Sequence, residues 1–183
     1  MRVPRRFTAG LDCPYDGLTF EPRRSQIRNP DGTTVFDHEG VMVPSGWSQV
    51  ATDILAQKYF RKAGVPAVTE PVAEEGVPAW LQRRVPATEQ LAALEPGARF
   101  GGETDARQVF DRLCGCWTYW GVKQGMFDGE EDARAFYDEL RYMMARQMCA
   151  PNSPQWFNTG LHYAYGIDGP AQGHTYVDEA TGD

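Results

Sequence analysis

The sequence predicts a mainly α chain that opens on a small β-hairpin. Three observations predict it. Apolar residues recur at helical spacing in three separate stretches, and a strong turn sequence joins two extended runs near the N-terminus. The composition, 42% hydrophobic and 23% charged, is that of a chain able to bury a core.

The hairpin comes first. Asn29-Pro30-Asp31-Gly32 sits between extended runs, Pro30 presetting φ and Gly32 accepting a positive one, so a hairpin or strand-like arm fits residues 18–36. Val41-Met42-Val43 adds a short third strand. The basic residues Arg2, Arg5 and Arg6 precede it in what reads as a flexible, solvated start. A first helix is predicted over Trp47–Ala63, with Ser45 as its cap and Gly64-Val65-Pro66 as its stop. Its apolar stripe is Trp47, Val50, Ile54, Leu55 and Phe60.

Residues 64–102 carry five prolines and read as a surface excursion or poorly ordered linker, with one short helix over Thr88–Leu94 capped by Thr88. A second long helix is predicted over Asp105–Lys123 behind a Thr104 cap, with Val109, Leu113, Cys116, Trp117 and Trp120 on one face. Gly115 and Gly121 weaken it intrinsically and leave room for a neighbouring backbone. A third runs from Gly129 to Cys149, with Asp128 and Glu131 as a capping pair and Arg134 and Arg141 facing outward. The short connection makes the last two an antiparallel hairpin. The chain divides into an arm (1–46), a helical part (47–150) whose variable loop is 67–100, and a final segment (151–183).

At 183 residues the chain holds one ordinary domain or one domain with an appended segment. Its net charge of −7 argues against coating a nucleic acid, because counterion release rewards cationic surfaces. No run approaches the roughly 18 to 20 apolar residues of a membrane span, and the start lacks the apolar core of a secretory signal. A cytoplasmic protein with no membrane partner is the expectation. Cys13, Cys114, Cys116 and Cys149 follow no disulfide spacing. Cys114 and Cys116 lie two apart on a helix, pointing about 200° apart, so free thiols fit better than a shared metal ion.

The chemically sharpest run is Asn152–Gly160, NSPQWFNTG. Ser153 as N-cap with Pro154 at the first helical position makes a favoured helix start, and Gly160 suits its far end. The amides of Gln155, Trp156 and Phe157 then point outward, where an anion can bind, with the Ser153 hydroxyl beside them. Capping alone is the commoner use of such a start. His162 and His174 are ambiguous in the same way, and Trp156 and Phe157 are most simply core anchors.

Longer stretches carry more. APNSPQWFNTGLHYAYGIDGPAQGH at 150–174 closely resembles the start of the catalytic region of the adenosylcobalamin-dependent, class II ribonucleotide reductases. WSQVATDILAQKYFRKAGVP (47–66), DARQVFDRLCGCWTYWGVKQGMFD (105–128), FYDELRYMMARQMCAPNSP (136–154) and SQIRNPDGTTVF (25–36) extend the likeness to all but the variable stretch.

The resemblance implies an N-terminal helical region leading into a ten-stranded α/β barrel that this chain does not contain. It implies ribonucleotide reduction by thiyl-radical chemistry, started by adenosylcobalamin. Implied partners are a ribonucleoside di- or triphosphate, the remainder of the reductase chain, a thioredoxin-like reductant and a second copy in a homodimer. Residue by residue, Ser153 matches the family's Ser/Thr-Pro segment lining the substrate pocket, with Asn152 beside it. None of the four cysteines matches the reductant pair or the thiyl cysteine, which lie beyond the segment ending at Asp183. The segment alone is therefore expected to be inactive, its C-terminal run 166–183 loosely packed. The alternative is a free-standing helical binding or interaction module derived from the same N-terminus.

Overall fold

A computed structural model describes residues 1–168. Strands β1 (Phe20–Arg28) and β2 (Thr34–Pro44) form an antiparallel hairpin around the expected Asn29–Gly32 turn, where Gly32 takes φ +86°. Val41–Val43 is not a third strand. It is the base of β2, paired with Arg23, Pro22 and Glu21, and it carries Val41 and Val43 fully buried into the main core.

The first helix is shorter and more irregular than predicted. Ser48, not Ser45, caps α1 (Gln49–Ile54), its hydroxyl accepting from the Ala51 amide. The chain then widens into one π-turn over Leu55–Tyr59, closed by the Phe60 amide donating to the Leu55 carbonyl at 2.9 Å. The wider turn breaks the 3.6-residue period. Trp47, Leu55 and Phe60 stay buried, while Val50 and Ile54 are exposed.

Residues 64–102 are not a loose excursion. Strands β3 (Val65–Pro66), β4 (Thr69–Pro71), β5 (Arg84–Pro86) and β6 (Phe100–Gly101) pair antiparallel as β3–β6 and β4–β5. Val77, Leu81 and Leu91 in the same stretch are buried, an order that its Pro and Gly content hides. The short helix exists as α2 (Thr88–Ala92), but Ala87 precedes it and no side chain caps it.

Helices α3 (Ala106–Lys123) and α4 (Glu130–Ala145) pack on one another as the central pair. Asp105 caps α3 in a reciprocal box with Gln108, displacing Thr104 from that role. Gly115 and Gly121 admit side chains rather than a backbone: a methyl group on them would meet the Tyr163 ring at 2.6 Å and the Phe127 ring at 2.5 Å. Gly129 precedes α4 without a side-chain cap, because Asp128 is paired with the N-terminal amine instead. The helix stops at Ala145, and Gln147 turns the chain with φ +55°.

Arg141 does not face outward. It is buried, paired with Asp138 and Asp111, with its guanidinium 3.7 Å from the Tyr137 ring centroid. The N-terminal segment is likewise docked, not solvated. The Val3 amide donates to Asp132, Arg5 pairs with Glu131 and Asp138, and Glu139 accepts from the amides of Arg6, Phe7 and Thr8 and from the Thr8 hydroxyl.

Two short helices complete the described chain, α5 (Ser153–Asn158) and α6 (Leu161–Tyr165). The architecture is thus mixed: a helical hairpin and short helices, with three small two-stranded antiparallel sheets and no barrel among the described residues. No helix there is long and apolar enough to cross a membrane. His174, and the C-terminal run past residue 168, lie outside the described residues.

Candidate functional site

The run Asn152–Gly160 is held from beneath by a buried ion pair that no local pattern announced. Arg112 on α3 and Glu103 just before it both have fully buried side chains, with Arg112 Nε donating to Glu103 Oε1 at 2.7 Å. Burying two charges is costly unless every polar atom finds a partner. Here they do. Glu103 also accepts from the Arg61 amide at 2.8 Å and from the Tyr165 hydroxyl at 2.9 Å. The guanidinium donates onward to the carbonyls of Trp156 (2.8 Å), Thr159 (2.8 Å) and Tyr59 (3.2 Å).

Those acceptors explain the placement of α5. A helix end leaves carbonyls unpaired, and a cation there satisfies them and complements the helix dipole. Arg112 does this for α5, so a six-residue helix too short to be stable alone is fixed to the core. Gly160 permits the approach. Its φ is +84°, and a Cβ there would lie 2.1 Å from the Arg112 carbonyl oxygen.

At the other end, the register differs by one residue from the sequence expectation. Asn152 is the N-cap, its side chain making no capping bond, and Ser153 is the first helical residue, with Pro154 after it. The Gln155 amide donates to the Asn152 carbonyl at 3.0 Å and is not free for an anion. The Ser153 hydroxyl, unspent on capping, instead lies 2.9 Å from the Tyr59 hydroxyl. Asn152 and Ser153 are both exposed. Any anion held here is therefore met by hydroxyl chemistry more than by a fan of amides.

Tyr59 ends the π-turn. Its ring stacks on Trp156 (centroids 5.2 Å, planes 20° apart) and meets Phe157 edge-on at 5.3 Å. Single π-turns inside helices recur at functional sites, since they aim one side chain where an α-helix would not. Trp156 is indeed a core anchor, with its indole Nε1 donating to the Pro151 carbonyl at 3.0 Å.

The thiols take no part. Burial pushes the Cys116 thiol up to about 12, against the opposing Gly160 amide and Arg112 charge, and burial also raises Cys114 well above its ordinary value. Both stay protonated near neutral pH and are poor nucleophiles and poor metal ligands. The imidazole of His162 is bonded through Nδ1 to Asp168 at 2.6 Å. No three His, Cys, Asp or Glu side chains converge on a metal position among the described residues.

The positions that sequence reading missed are Tyr59, Glu103 and Arg112. One signal was available: Arg112 falls between Val109 and Cys116 on the apolar stripe of its helix, where a cation needs a buried partner.

Comparison with known proteins adds to this geometry. Residues 21–147, more than half of the chain, match the family described as class II vitamin B12-dependent ribonucleotide reductase. A vitamin B12-dependent ribonucleotide reductase of Bradyrhizobium diazoefficiens is 63% identical over 182 residues, covering 100% of this chain and 14% of its own length. The enzyme of the same name from Agrobacterium fabrum is 58% identical over the same span and share. That of Rhodopirellula baltica is 31% identical over 163 residues, covering 86% of this chain and 13% of its own length. The chain therefore spans about one seventh of the length of the Bradyrhizobium and Agrobacterium proteins. The family match ends before Asn152, whereas the alignment with the Bradyrhizobium protein spans the whole chain.

Proposed function

The chain belongs to the class II vitamin B12-dependent ribonucleotide reductase family, and from that premise we propose that it is the N-terminal portion of an enzyme making deoxyribonucleotides from ribonucleotides. In this reading it supplies one wall of the substrate pocket and none of the reacting thiols. The observation that carries it is an alignment at 63% identity that spans the chain and so reaches past the family match through Asn152–Gly160. What supports the placement of the wall is Ser153, exposed at the start of a helix whose other end is fixed to Arg112.

Ser153 donates to a phosphate or ribose oxygen of a ribonucleoside di- or triphosphate, and Asn152 lies beside it with an uncommitted capping position. Cobalamin, when bound to the whole enzyme, supplies the radical. The residues of this chain bind and orient. A thioredoxin-like reductant and a second copy of the enzyme are its partners.

The test is the full-length protein, assayed for conversion of ribonucleotide to deoxyribonucleotide with and without adenosylcobalamin and a dithiol. Activity that requires the cofactor supports the reading. Cofactor-independent reduction, or none with a correctly folded and fully loaded protein, contradicts it. Activity in the 183-residue chain alone would contradict the assignment of the thiols to other parts of the enzyme.

A further inference from the structure

The hydroxyls of Tyr59 and Ser153 lie 2.9 Å apart, and the bond between them has a direction. Each group owns one proton and can accept as well as donate. If Ser153 gives its proton to Tyr59, it has none left for a negatively charged ligand. If Tyr59 is the donor, Ser153 accepts from it and keeps its own proton for an external acceptor. The phenol is the more acidic hydroxyl and the better donor, and a chain of hydroxyls ending on an anion polarises in one sense.

The surroundings hold Tyr59 for that task. Its ring is fixed between Trp156 and Phe157, and its carbonyl accepts from Arg112. It is the last residue of the π-turn that follows α1. Ordinary α-helical continuation would rotate residue 59 away from the direction it has here.

We propose that Tyr59 is a positioning residue: its hydroxyl donates to Ser153 Oγ and so directs the Ser153 proton to an anionic oxygen of a phosphorylated ribonucleoside. This rests on the reading that Ser153 faces substrate. Tyr59 itself does not touch substrate. The competing role is a purely structural tie between the π-turn and α5, which would alter stability and leave substrate affinity alone.

A double-mutant cycle in the full-length enzyme separates these roles. Tyr59→Phe, Ser153→Ala and the double variant are compared in KM, kcat and unfolding temperature. Tyr59→Phe keeps the stacked ring, so folding should survive. Losing one polarising hydrogen bond should raise KM about 3- to 10-fold with kcat little changed. Ser153→Ala should raise KM more, and adding Tyr59→Phe to it should do nothing further. If Ser153→Ala raises KM but Tyr59→Phe does not, the positioning role is overturned while the Ser153 reading stands. Effects that multiply in the double variant would overturn the positioning role in the same way. If Ser153→Ala leaves KM unchanged, the substrate reading of Ser153 itself fails, and the proposal with it.

Discussion

Replacing Arg112 by methionine removes a fully buried cation while keeping a side chain of similar reach. Glu103 is then left as a buried carboxylate with two remaining donors, the Arg61 amide and the Tyr165 hydroxyl. Breaking a buried pair from one side typically costs about 3 to 5 kcal/mol. The carbonyls of Tyr59, Trp156 and Thr159 also lose their donor, and each would add about 1 to 3 kcal/mol if it stayed dry. They need not stay dry, since α5 can fray and let water in. The expected loss is therefore about 4 to 5 kcal/mol, with α5 and α6 loosening first. Urea unfolding of the chain reads the total, and amide exchange over 153–165 reads the local part. The double variant Glu103→Leu/Arg112→Met removes the stranded charge but not the stranded carbonyls, and it leaves the Arg61 amide and the Tyr165 hydroxyl without their acceptor. It should recover about half of the loss in stability and little of the protection at 153–165. A single Arg112→Met variant with unchanged exchange over 153–165 would refute the reasoning that Arg112 fixes this segment. Full recovery of protection in the double variant would show that only the charge mattered.

Gly160→Ala should cost about 3 kcal/mol or more, because φ is left-handed and the added methyl meets a backbone oxygen that cannot step aside; a melting temperature within a degree or two of the parent would contradict this. The N-terminal segment should detach in acid. Burial pushes the Glu139 carboxyl up, but the Thr8 hydroxyl and the amides of Thr8, Phe7 and Arg6 more than offset it and hold its pKa below the ordinary range. A depressed folded pKa contributes stability above the unfolded value, near ~4.3, and loses it as pH falls through the folded one. Protease cleavage within residues 1–8 should therefore be slow at neutral pH and rise below about pH 4, and Glu139→Gln should cleave fast at both. Equal protection of the variant at neutral pH would place the docking elsewhere.

What the sequence disclosed follows a physical line. The hairpin, the central helices and the segment Asn152–Gly160 were legible because turn chemistry and 3.6-residue stripes are local signals. The caps slipped by one to three residues, as at Ser48, Asp105 and Asn152, since neighbouring polar residues compete for one role and packing decides. The π-turn was invisible: nothing in Leu55–Tyr59 forbids an ordinary helix, and Tyr59 contacts partners nearly a hundred residues away. Arg141 and Arg5 read as solvent-facing because their partners, Asp111 and Asp138 respectively, are supplied by distant parts of the chain. The stretch 64–102 read as loose because Pro and Gly dominate it. Its order comes from a few buried side chains, Val77, Leu81 and Leu91, and two very short strand pairs.

In the proposed function, Ser153 serves a substrate anion and is not merely part of a helix start. Because Asn152, not Ser153, occupies the cap position, Ser153→Ala should leave the unfolding temperature nearly unchanged. Loss of a hydrogen bond to a charged group is worth about 1.5 to 3 kcal/mol, or about 10- to 150-fold in affinity. The deciding measurement is the dissociation constant of the ribonucleotide substrate for full-length Ser153→Ala, read beside its melting curve. A 10-fold or greater weakening with an unchanged melting temperature is the predicted result. Unchanged affinity with a lowered melting temperature would contradict it.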